Sequence, residues 1–219
     1  RQDSIVDRSG HYGISATSVT VSQGQTNFGN TSFLFGSGDA YLSYTSDGSD
    51  HIGKEDFSYE QWIYPTGTTA WISYFVQNGT GNSSTKGLCI GGISPGTSIG
   101  LEYNDHDAGT YRPLAIGIQD NLWQHVVHAR IGNQLCAWVN GVLTDATTTG
   151  ATADINNPSG TSVQIGHGDN GFTADFDGYM DGIRLCIGQS AYTPHFTPYG
   201  GQKNIVHNRG GAVTDARHA

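Results

Sequence analysis

Along most of the chain apolar side chains recur at every second position, in short runs cut by glycine, proline or asparagine. Phe33 and Phe35 share one parity before Gly36-Ser37-Gly38-Asp39 turns the chain into Tyr41-Leu42-Ser43-Tyr44. Residues 57–64 stop at Pro65, and 71–76 stop at Asn78-Gly79. Further runs cover 87–93, 98–103, 113–118, 123–131, 134–140, 161–166 and 178–187. A period of two places successive side chains on opposite faces, so each run predicts a β-strand. Gly132-Asn133 and Asn140-Gly141 bracket a run in which Leu135, Ala137 and Val139 share a face, the pattern of a hairpin with tight turns. No helical period extends beyond about two turns, and no repeat of roughly 20–50 residues occurs. The pattern predicts an all-β sandwich or barrel of antiparallel strands.

Composition narrows this. Among 219 residues there are 32 Gly, one Met and three Lys, with 13% charged, which excludes a helical bundle. Aromatics at 11%, with Trp62, Trp71, Trp123 and Trp138 each in an apolar stretch, exclude a disordered chain. The length fits one domain over residues 1–199. Residues 200–219 form a polar, glycine-rich tail without a periodic apolar face, either disordered or ordered by a partner. The formal charge of −9 excludes a duplex nucleic-acid binder, which needs a basic face. It divides unevenly: the body holds seven basic and eighteen acidic residues, −11, while the tail holds Lys203, Arg209 and Arg217 against Asp215, +2. The tail is a solvated end or a docking arm. No apolar run reaches the roughly 18 residues of a membrane span, and Arg1 to Arg8 lack the apolar core of a secretory leader. Cys89, Cys136 and Cys186 are odd in number, widely spaced and set in apolar strands, so they read as buried free thiols. The sequons at Asn30, Asn78 and Asn82 matter only in a eukaryotic secretory setting.

Several motifs resemble those of one family. They are Asp7-Arg8-Ser9-Gly10-His11, Phe28-Gly29-Asn30-Thr31-Ser32-Phe33-Leu34-Phe35 and Gly38-Asp39-Ala40-Tyr41-Leu42, then Phe57-Ser58-Tyr59-Glu60-Gln61-Trp62-Ile63-Tyr64-Pro65. Trp123-Gln124-His125-Val126, Trp138-Val139-Asn140-Gly141, Gly178-Tyr179-Met180-Asp181-Gly182-Ile183-Arg184-Leu185 and Ala191-Tyr192-Thr193-Pro194-His195-Phe196-Thr197-Pro198 complete the set. In this order and spacing they resemble a laminin-G-like domain of the concanavalin A-like lectin and glucanase superfamily. The opening and closing motifs are similar to modules in tail and other virion proteins of bacteriophages. The resemblance implies a jelly-roll β-sandwich of two curved antiparallel sheets. It also implies a non-enzymatic structural or adhesion module on a virion surface, as capsid decoration or tail-associated protein, contacting other virion proteins or further copies of itself in a homo-oligomer. A calcium-dependent module for host-surface glycans is the alternative, and a polysaccharide hydrolase or lyase the third. Fold alone decides between none of these.

Retaining glycosidases need two carboxylates about 5–5.5 Å apart. The superfamily's glucanases carry Glu-x-Asp-x-x-Glu on one strand. This chain has three Glu, at 55, 60 and 102, and neither these nor Asp175, Asp177 and Asp181 reproduce that spacing. An enzyme is therefore not expected. Calcium seeks clustered carboxylates and turn carbonyls. By the resemblance, Asp181 aligns with an Asp that helps hold a structural calcium in related glucanases, and Asp39 could face it; both could equally hydrogen-bond turn amides. Asp105 and Asp107, with His167, Asp169, Asn170, Asp175 and Asp177, could form a rim site for calcium or sugar hydroxyls, or be solvated loop caps. Trp138 is expected to face outward, with Tyr103 and Tyr111 (and Tyr74 and Trp71) as companions in a sugar platform, or to pack against a loop or second subunit. By the resemblance His128 replaces an inward aliphatic, and is expected to be a hydrogen-bonded core histidine or part of a polar network.

Overall fold

The alternation folds into strands alone; among the described residues there is no helix. The computed structural model describes residues 5–7, 9–36, 38–67, 71–77, 88–94, 98–105, 108–115, 117–148, 151–152, 154–155, 159–167, 175–189, 192 and 206–209. For 71–77, 88–89, 91–94, 98–105, 108–115 and 206–209 it describes the backbone. The strands are β1 (Ser15–Thr17), β2 (Val19–Ser22), β3 (Ser32–Phe35), β4 (Tyr41–Thr45), β5 (Phe57–Pro65), β6 (Trp71–Gln77), β7 (Leu88–Ser94) and β8 (Ser98–Asp105). They continue with β9 (Ala108–Ala115), β10 (Gln124–Ile131), β11 (Gln134–Val139), β12 (Val142–Thr147), β13 (Ser162–Ile165), β14 (Gly178–Ile187) and β15 (Val206–Arg209).

One sheet runs β1-β4-β13-β6-β7-β8-β9, the other β12-β11-β10-β5-β14-β3-β2, with β15 beside β14. Every pairing is antiparallel except β14 with β15. The two inner faces meet in a core that includes Phe35, Leu42, Ile52, Phe57, Ile63, Val126, Phe176 and Leu185. At one edge the chain changes sheets within a single residue, Ser18, whose φ of 53° turns β1 into β2.

The sequence pattern omits four strands, β1, β2, β12 and β15. The side chains of β1 and β12 are fully or alternately exposed, and β2 buries only Val19, so these three carry no buried stripe to announce them. Strand β9 begins at Ala108 rather than 113; Pro113 sits in it because β9 is a sheet edge, where a missing N–H leaves no ladder bond unmade. The predicted hairpin is present. Ile131 pairs with Gln134 across Gly132-Asn133, and Val139 pairs with Val142 across Asn140-Gly141. Both residues of the second turn have positive φ, 52° and 80°, the geometry that matches strand twist.

His128 lies in the inward row of β10 between Val126 and Arg130, opposite Tyr59 and Ala137. It is fully buried, and neither ring nitrogen has a hydrogen-bond partner among the described residues. The expected hydrogen bond is therefore not made, and an orphaned buried polar atom costs about 1–3 kcal/mol. Arg130, in the same row, is satisfied: its guanidinium donates to the carbonyls of Glu55 at 2.9 Å and Gly53 at 2.7 Å.

Candidate functional site

At one rim of the sandwich two connections meet, β3–β4 and β13–β14. Gly38 and Asp39, both at positive φ (79° and 49°), turn β3 into β4. Gly166 ends β13 at φ 94°, where a Cβ would strike the Phe35 ring, and so sends His167 out of the sheet. The Phe176 N–H then donates to the Gly166 carbonyl at 2.8 Å, seating Asp175 beside His167. His167 Nδ1 bonds the Asp175 carboxylate, and the Asp39 amide donates to its other oxygen at 3.0 Å. Tyr41, on the outer face of β4, stacks on the imidazole with centroids 5.4 Å apart at 27°. Metal-competent atoms of Asp39, His167 and Asp175 lie within 4.8 Å of one another. One imidazole and two carboxylates suit a borderline divalent ion such as Mn²⁺ or Zn²⁺ better than calcium, which takes six to eight oxygens.

The cluster regroups the expected site residues. Asp39 joins Asp175 and His167, not Asp181. Register explains why: Met180 pairs with Phe33, which sets Asp181 level with Ser32, and β3 then runs on about 10 Å to Phe35 before the turn that carries Asp39. Asp181 is buried, its carboxylate accepting from the amides of Phe28 at 3.3 Å and Gly182 at 2.9 Å. The reading of Asp39 and Asp181 as one calcium pair is corrected accordingly. Asp177 is half-buried, and its carbonyl accepts from the Thr66 amide. Asp105, Tyr103 and Tyr111 lie on β8 and β9, three or more strand spacings of about 4.8 Å from β13, and so away from the rim cluster. Tyr103 pairs with Thr110 and Tyr111 with Glu102, so the register does not set the two tyrosines opposite one another. Asp107, Asp169 and Asn170 lie outside the described residues. Tyr41 was missed, since nothing in its run distinguishes it from a core aromatic.

The outer face of the eight-stranded sheet corrects a second expectation. Trp138 does face away from the core, yet it is 1% exposed, because Tyr192 lies over it with ring centroids 5.9 Å apart. It therefore offers no ring to a ligand. Beside it Glu60 is held by three donors: His125 Nε2 at 2.9 Å, the Arg184 guanidinium and the Tyr192 hydroxyl. Burial alone would push the Glu60 carboxyl up, but the His125 hydrogen bond, the Arg184 charge and Tyr192 together hold it below the usual range. Burial and then Glu60 raise the Tyr192 phenol well above its ordinary value. With Glu60 held by these donors and Asp181 by the amides of Phe28 and Gly182, this face presents occupied carboxylates rather than a pair poised for catalysis. At the surface Ser49 Oγ lies 2.8 Å and Asp47 Oδ2 3.0 Å from the same atom, His11 Nε2. A nucleophilic relay needs the aspartate on the other ring nitrogen, so this grouping does not activate Ser49.

A family model for the concanavalin A-like lectin/glucanases superfamily, of laminin G type, matches residues 35–187. The chain belongs to this superfamily. Among solved structures similar in fold, the binding domain of Paraclostridial Mosquitocidal Protein 1 aligns with a TM-score of 0.59 at 14% identity, over 82% of this chain and 46% of that one. Domain 4 of AbnA, a GH43 extracellular arabinanase from Geobacillus stearothermophilus solved with arabinotriose, aligns at 0.58 and 15%, over 81% and 84%. Mouse laminin alpha1 domains LG4-5 align at 0.51 and 12%, over 69% and 39%. The chain thus spans less than half the length of the Mosquitocidal Protein 1 binding domain it resembles. Among curated proteins none matches by sequence. At these identities the likeness is one of fold, and the superfamily's sandwich is the frame that the rim cluster decorates.

Proposed function

We propose that the chain is a non-enzymatic adhesion module of a virus particle that recognises a polar, glycan-like ligand at the Tyr41–His167–Asp175–Asp39 rim. The observation that carries the ligand reading is the meeting there of an aromatic pair with two carboxylates on an accessible edge, Asp39 exposed and Asp175 half-buried. A sugar needs hydrogen-bonding groups for its hydroxyls and a flat ring for its C–H face. By their own descriptions one of the similar structures is a binding domain and another is a complex with arabinotriose, which supports a binding role on this fold. The virion setting rests on the opening and closing motifs. A divalent ion, if taken up, would sit among Asp39, His167 and Asp175 and fix their geometry.

A glycan array probed with the purified protein, with and without chelator, tests the reading. Binding that falls at least tenfold in His167→Ala and Asp175→Asn, with unchanged melting temperature, is expected. No binding at high micromolar protein would overturn it.

A further inference from the structure

Beyond the Glu60 network, the outer face of the eight-stranded sheet is built from different side chains. Ile63 and Met180 point into the core, so their strand neighbours Tyr64 and Tyr179 point outward. Register sets Tyr179 level with Tyr64. Gln124 pairs with Ile63, so Trp123, one residue before β10, comes level with Tyr64 from the other side. The three rings form one row across the sheet. Centroids of Tyr64 and Trp123 lie 5.7 Å apart at 57°, and those of Tyr64 and Tyr179 5.9 Å apart at 81°. One level along β5, Phe28 meets Trp62 edge to face at 5.2 Å. All five residues are half-buried.

Rings that brace one another are ordered before a ligand arrives, which lowers the entropic cost of binding. Neither the Tyr64 nor the Tyr179 hydroxyl has a hydrogen-bond partner among the described residues, so both are unspent on this apolar strip. The Trp123 indole N–H is buried without an acceptor among the described residues, a cost of about 1–3 kcal/mol that a phenylalanine would avoid. Residues that break a local rule in this way concentrate at functional sites. The row itself carries no charge, and the body around it holds eighteen acidic against seven basic residues, which disfavours an anionic ligand. With strands about 4.8 Å apart the row is about 10 Å long and one ring wide. That falls far short of the roughly 800 Å² per partner of a stable protein interface, but it is the length of a disaccharide.

We infer that the Trp123–Tyr64–Tyr179 row is a binding site for a neutral oligosaccharide, whose C–H faces lie on the rings and whose hydroxyls bond the two phenols. Tyr41 belongs to the other sheet, so this inference does not rest on the reading of the rim.

Titration of the full chain with maltohexaose, cellohexaose, xylohexaose and chitohexaose, followed by tryptophan fluorescence and calorimetry, tests it. At least one of these is expected to bind and to shift the emission. Binding should fall at least tenfold in Tyr64→Ala/Tyr179→Ala. It should fall several-fold in Tyr64→Phe/Tyr179→Phe, which keeps the rings, removes only the hydroxyls and is expected to keep the parent melting temperature. It should be unchanged in His167→Ala and by chelator, which separates this site from the rim. No response to any of the four at millimolar concentration, or binding that survives both row variants, would overturn the inference. So would self-association that rises with protein concentration and vanishes in the row variants, because the occupant would then be a second copy.

Discussion

His128 takes a position in the inward row of β10 where a hydrocarbon side chain would have no charge to lose, and burial pushes its pKa down to about 3. In the unfolded chain the imidazole titrates near 6.5, so between about pH 6.5 and 3 the unfolded state binds the extra proton and stability falls as pH falls. The slope is about 1.4 kcal/mol per pH unit, on the order of a few kcal/mol in all. His128→Leu should be more stable than the parent at every pH and should flatten this loss between pH 6.5 and 4.5, read from urea denaturation at each pH. Below the ordinary glutamate range the loss persists in both proteins, because Glu60 is held low when folded and must then be protonated. Gly178 makes a second prediction at this scale. Its φ is 137°, and a Cβ there would run into the Tyr64 carbonyl. Gly178→Ala should cost about 2–3 kcal/mol by chemical denaturation, whereas Gly132→Ala, at φ 54° with open space around it, should cost less.

At the level of elements, the network on the outer face of β5, β10 and β14 depends on one residue beyond β14, Tyr192. Tyr192→Ala should cost about 2–4 kcal/mol, expose Trp138 and shift its fluorescence to the red; Tyr192→Phe should cost about 1–2 kcal/mol and leave the emission in place. The strands that build this face were legible, since β5, β10, β11 and β14 all carry a buried stripe and turn-forming ends. The cover was not. Nothing local to Trp138 says that a tyrosine more than fifty positions away lies on it, and alternation alone makes it an outward, ligand-facing ring. The rim was half legible: Asp175 and His167, set in one group by their acidic connection, are hydrogen-bonded to each other. Asp39 was matched to the wrong carboxylate, because the level of each residue along β3 and β14 is fixed by register, which no single strand's pattern contains. The same blindness hid β15, whose partner is a gap in the pairing of another strand.

For the whole molecule the division of charge sets a further expectation. An acidic body holding a basic tail is an attraction that salt screens, with a Debye length of about 10 Å at 0.1 M and 3 Å at 1 M. Amide exchange at Arg184–Ile187 should therefore quicken several-fold as salt rises, while that of β5 and β10 stays constant. The arrangement of the end strands has a mechanical meaning as well. Strand β2 is antiparallel to β3, and β3 to β14, so β2, β14 and β15 all point the same way. Val19 lies level with Gly178 through Phe35, while Arg209 lies level with Ile187, about 30 Å further along β14. A tension applied through the segments beyond β2 and β15 therefore runs along the strands, so the ladder bonds are strained together in shear rather than peeled one at a time.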